Sequence, residues 1–132
     1  RIYRLAARLY DLQYVPNISR VITAIKGGDL NGAYAELEAG RHLDSRGIRF
    51  SYVLPQGTKA TDFDIEIQGN LNINCEIKHK LETTTLSKET LESTFSDAKS
   101  QVPKNAPSLF FIKYFIFAIA AVTLKGCQPK VE

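Results

Sequence analysis

With 132 residues the chain suits a single domain large enough to bury a core. An apolar content of 44% and a charged content of 23% are those of an ordinary globular protein. The net charge of +3 permits nucleic-acid binding, but no run of lysine and arginine marks a dedicated DNA-binding arm. The two cysteines, Cys75 and Cys127, make neither a disulfide framework nor a metal-ligand spacing. No signal peptide is visible at the N-terminus, although the chain opens at Arg1 rather than Met, as a trimmed piece would. A cytoplasmic location is expected, because Cys75 reads as a buried free thiol of a reducing compartment.

In chain order, Ile2, Leu5, Ala6, Leu9 and Leu12 recur at helical spacing until Pro16 breaks the pattern. Asn17 is placed to cap a short helix, Ile18 to Lys26, which Gly27-Gly28 ends. Asp29 is a good N-cap for a longer helix from Leu30 to about Arg46, stopped by Gly47. Its packing face is Leu30, Ala33, Tyr34 and Leu37, with Glu36 at the edge. Residues 48–54 have strand composition, and Pro55-Gln56-Gly57 reads as a loop. A hairpin follows over 62–80, then a threonine-rich loop over 81–86. Ser87 caps a helix from Lys88 to about Val102, closed by Pro103, with Leu91, Phe95 and Ala98 as its apolar stripe. The strongly apolar stretch 109–124 is interrupted by Lys113 and is short for a membrane span, so it is expected as buried strand, from Ser108 to about Phe117. The chain divides into an N-terminal helical extension (1–28), a core (about 30–116) and a C-terminal tail (about 117–132).

The hairpin organises the chain. Phe63, Ile65 and Ile67 alternate with Asp62, Asp64, Glu66 and Gln68; Leu71, Ile73, Cys75 and Ile77 alternate with Asn72, Asn74, Glu76 and Lys78. Period-two alternation sends each set to its own face. A two-residue Gly69-Asn70 turn would mix the faces, whereas an odd loop keeps them apart. A Gln68-Gly69-Asn70 loop sets Asp62 opposite Glu76, and a Gly69-Asn70-Leu71 loop sets Asp64 there. In either register an Asp, Glu76 and Lys78 share one face. Two carboxylates are hard ligands for a divalent ion, and an ammonium beside them can orient water or offset charge on phosphorus. His42 and His79 lie near no nucleophile motif and are expected as surface residues, which leaves serine or cysteine hydrolysis little support.

The order helix, strand, strand, strand, helix, strand, together with Asp64 and Glu76-Ile77-Lys78, resembles the PD-(D/E)XK nuclease superfamily. Its pattern is an acid on the second strand and (D/E)-x-K on the third; here the two acids are separated by 12 residues. Glu36 matches a glutamate that many members carry on the first core helix, and Gln101 a glutamine late in the following helix. Phe63 stands where the family has proline, and Asp62 is a rival first acid. The resemblance covers about residues 30–116. It implies an α/β, restriction-endonuclease-like αβββαβ core with a central mixed sheet flanked by helices. It also implies hydrolysis of nucleic acid, DNA in preference to RNA, with Mg2+ or Mn2+. Asp64, Glu76 and the Ile77 carbonyl would bind the ion, Lys78 would position or help activate the water, Glu36 would support a second ion or the water network, and Gln101 would orient substrate or a catalytic side chain. A nuclease-fold module that binds nucleic acid or protein without cutting is the alternative. Whether the catalytic surface needs a homodimer stays open.

Overall fold

The computed structural model describes residues 2–55, 63–80, 87–114 and 117–123, the backbone alone for 114 and 117–123. Its elements run α1 (Ile2–Asp11), α2 (Ser19–Lys26), α3 (Leu30–Asp44), β1 (Phe50–Tyr52), β2 (Ile65–Ile67), β3 (Ile73–His79), α4 (Lys88–Ser100), β4 (Ser108–Tyr114) and β5 (Phe117–Thr123). The αβββαβ core runs from α3 to β4. The sheet is mixed, in the order β1-β2-β3-β4-β5, with β3 and β4 parallel and the other pairs antiparallel. A parallel pair needs a long crossover, and α4 supplies it.

Helix ends follow local chemistry. The Asp29 carboxylate accepts from the Gly32 amide at 2.9 Å, and Gly47 takes the left-handed conformation (φ 67°) that lets the chain turn back beyond α3. Ser87 and Thr90 bond reciprocally at the start of α4. Asn17 departs from expectation. It adopts φ 63° and its amide donates to the Tyr52 carbonyl at 2.8 Å, so it ties the α1–α2 turn to β1; Ile18 takes the N-cap position with no side-chain cap bond.

Phe110 and Phe111, adjacent on β4, point to opposite faces and show where the two layers lie. Phe111 joins a core of Leu12, Val21, Leu37, Tyr52, Ile65 and Ile77 beneath α1–α3. Phe110 joins Ala98, Val102, Phe63 and Phe95 beneath α4. At buried Gly40 of α3 a Cβ would lie 2.5 Å from the Tyr52 hydroxyl, so only glycine lets the helix come this close to β1. Leu30 is half exposed and does not pack as expected; the buried stripe is Ala33, Leu37, Gly40 and Leu43, joined by Ala35 and Ala39.

The hairpin takes the Gly69-Asn70-Leu71 register, with Ile67 facing Ile73 and Ile65 facing Cys75. Leu71 consequently sits in the loop and is exposed, not on the apolar face. At the other end the amide of Asp64, just before β2, donates to the Cys75 carbonyl at 3.0 Å, so Asp64 and Ile65 together oppose Cys75 of β3. Such a bulge breaks the alternation. Phe63 accordingly leaves the face of Ile65 and Ile67 and packs under α4. Asp62 lies outside the described residues, as do 56–61 and 81–86, where the sequence led us to expect a loop.

The apolar stretch from 109 is two antiparallel strands, β4 and β5, so residues 117–123 are the edge of the sheet rather than the start of a tail. Residues 124–132, Cys127 among them, lie outside the description. Among the described residues no helix is long and apolar enough to cross a membrane.

Candidate active site

Asp64 comes to the site on the β2 bulge and is 8% exposed. Its Oδ2 accepts from the Ile77 amide at 2.7 Å. Glu76, 3% exposed, sits in the middle of β3; its Oε1 lies 3.1 Å from the Lys78 Nζ, two residues on along the same face. Lys78 Nζ also donates to the Gln101 side-chain oxygen, so α4 holds the ammonium from its C-terminal end. Glu36 enters from α3. Asp64, Glu76, Lys78, Glu36, Gln101 and Ile77 all line one open cleft of about 330 Å3. His79, partly exposed, lines it too, whereas His42 is exposed with its ring 5.7 Å from that of Phe111.

The meeting of these groups does not come from the simple shared strand face that alternation implied. Glu76 and Lys78 lie on the α4 side, while Asp64 is bonded to an arginine of α2. They converge where the bulge redirects β2.

That arginine, Arg20, is the group sequence reasoning missed. Its Nη2 donates to Asp64 Oδ1 at 2.5 Å, its Nη1 to the Val53 carbonyl and more loosely to that of Phe63 at 3.5 Å, and its Nε lies 3.5 Å from Glu36 Oε2. Its partners stand 16–44 positions away in sequence, so no local motif exposes it.

Two buried carboxylates, Asp64 and Glu76, and the partly buried Glu36 around two cations have distorted acidities. Burial, then the charge of Asp64, pushes the Glu76 carboxyl up to about 8, against the opposing pull of Lys78 and Arg20. Burial and Asp64 likewise push Glu36 up to about 7. Asp64 is raised by burial in spite of Arg20 and the Ile77 amide. Perturbed carboxyls gathered in a cleft occur at functional sites and also in structural ion-pair networks.

The donors suit a hard divalent cation. Glu76 Oε2 is buried with no hydrogen-bond partner, and so is Glu36 Oε2, for which the 3.5 Å approach of Arg20 is an ionic contact rather than a bond. Unpaired buried oxygens of this kind are costly unless something positive reaches them. Among the described residues no three His, Cys, Asp or Glu side chains group as ligands for one ion. Two carboxylates with backbone and water suit Mg2+, which keeps several waters, better than a closed protein cage.

An acid on the second strand, Glu-x-Lys on the third, and α3 and α4 closing the cleft from either side complete the arrangement. The αβββαβ order around a mixed sheet is the architecture that the sequence resemblance implied. Among solved structures the chain is similar to Hjc, a Holliday junction resolvase of the archaeal hyperthermophile Archaeoglobus fulgidus, with 19% identity and a TM-score of 0.42 over 70% of this chain and 75% of that one. No protein-family model and no curated protein matches the chain.

Proposed function

We propose that the chain is a metal-dependent nuclease that hydrolyses phosphodiester bonds of nucleic acid, DNA in preference to RNA. The observation that carries this reading is the convergence of Asp64, Glu76 and Lys78 in one cleft, with a carboxylate oxygen of Glu76 buried and unpaired. Asp64, Glu76 and the Ile77 carbonyl would hold Mg2+ or Mn2+. When bound, the ion supplies positive charge against the negative charge that builds on the phosphoryl oxygens, and acidifies a water.

The remaining roles fall to the chain's own groups. Lys78 orients the attacking water and adds to the positive field at phosphorus. Gln101 keeps that ammonium aimed into the cleft. Glu36, across the cleft on α3, supports the water network. The basic balance of the chain favours a polyanionic substrate.

The test is cleavage of linear DNA, supercoiled DNA and structured RNA with Mg2+ or Mn2+, with and without chelator. Cutting of DNA that chelator abolishes is expected. No cutting of any substrate, by protein that binds Mn2+, would indicate the non-cleaving binding module instead. Cutting that survives both chelator and Lys78→Ala would exclude this site as its source.

A further inference from the structure

We infer that Arg20 is a positioning residue of the cation site, a fixed fork that holds the Asp64 carboxylate in its binding orientation before any ion arrives. The inference rests on the metal-site reading just given.

A guanidinium presents its donors in a rigid plane, and each oxygen of a carboxylate has two lone pairs. Arg20 uses both facts. One of its nitrogens takes Asp64 Oδ1 at 2.5 Å while another takes the Val53 carbonyl, just beyond β1, and approaches that of Phe63, just before β2. On the far side of the same carboxylate the Ile77 amide takes Oδ2 at 2.7 Å. One donor on each oxygen fixes the carboxylate plane and still leaves a lone pair on each for a cation. Asp64 sits on a bulge rather than in a regular ladder, so the strand alone does not set its aim; the two donors do.

The rival idea is that Arg20 merely occupies the cation's place and leaves when an ion enters. Its anchorage speaks against this. Two of its partners are backbone carbonyls, whose need for a donor does not change when a cation binds, and its side chain is only 15% exposed. Withdrawal would strip both carbonyls of this donor at once. Its contact with Glu36 is the weaker one, at 3.5 Å, so Glu36 stays free to turn toward water or ion while Asp64 does not.

The experiment is Mn2+ titration by calorimetry at fixed pH on the wild type, Arg20→Lys and Arg20→Gln, with thermal melts of each without metal. Arg20→Lys keeps the charge but not the fork. Removing a group that orients a metal ligand costs about 10–100-fold in metal affinity, and that loss is expected for both variants. In cleavage assays kcat should fall while KM for DNA holds. If Arg20→Gln fails to fold, Arg20→Lys decides. Mn2+ binding by a folded Arg20→Lys at wild-type strength, or tighter, would overturn the inference and make Arg20 a structural tie or a competitor of the ion. A wild type that binds no Mn2+ would instead overturn the metal site itself, and the inference with it.

Discussion

On one face of β3, Cys75 and Ile77 join Leu37, Ile65 and Phe111 in the larger core. On the other, Glu76 stands almost fully buried beside Lys78, with Gln101, which caps the C-terminal end of α4, closing over the ammonium. Residues adjacent in sequence thus do opposite work. The first face removes apolar surface from water, the main source of stability. The second buries charge, which costs free energy unless every group is paired, and here Glu76 Oε2 is not. The proposed use of that charge in holding a cation would account for keeping so costly a face.

Substitutions on the two faces should therefore separate stability from activity. The largest expected effect is on the apolar face. Leu37→Ala, at a fully buried position, should cost about 2–5 kcal/mol in denaturant unfolding while cleavage per folded molecule holds. Lys78→Ala should do the reverse. The melt should fall less than in Leu37→Ala, because Glu76 can take up a proton when its ammonium partner goes, and the single-turnover cleavage rate should fall roughly 10²–10³-fold, or about 2.7–4 kcal/mol, as for loss of one preorganised electrostatic donor. Equal losses of stability and rate in either variant would dissolve the distinction between the faces.

The third prediction concerns pH. A carboxyl raised in the folded state binds its proton more tightly folded than unfolded, so its contribution to stability is present at low pH and lost as pH rises. For Glu76 that window runs from the ordinary value of 4.5 to about 8, and for Glu36 from 4.5 to about 7. Metal-free protein should melt lower at pH 8 than at pH 5, from this site's contribution. Glu76→Gln should flatten the profile and melt higher than the wild type at pH 8. A wild-type profile that rises over this window, with no change in Glu76→Gln, would mean that Glu76 is not held as described. The smallest effect lies away from both faces. Ser87→Ala removes the α4 capping box and should cost about 1 kcal/mol with cleavage intact.

What was legible in the sequence was local. Asp29, Gly47 and Ser87 mark their helix ends because capping is a contact between near neighbours. The alternation around 64 and 76 exposed the hairpin, and the Gly69-Asn70-Leu71 loop is one of the two registers that the pattern allowed. The bulge was not legible. It depends on one amide sharing the Cys75 carbonyl, and it moves Phe63 to the other core. Strand β5 was hidden because Phe115-Ile116, between β4 and β5, carries no Gly, Pro, Asn or Asp to signal a turn. Arg20 was hidden because a long side chain reached across the fold to residues distant in sequence, which neither periodicity nor motif spacing records.

The central claim is that the costly face exists to hold a cation between Asp64 and Glu76. It is tested most directly by a crystal grown in or soaked with Mn2+, read through the anomalous signal of the ion. The expected result is one manganese touching the carboxylates of Asp64 and Glu76 and the carbonyl of Ile77, with Arg20 still bonded to Asp64 and Lys78 directed toward the ion's waters. Manganese bound elsewhere, or an empty cleft in a crystal that takes up the ion at other sites, would contradict it.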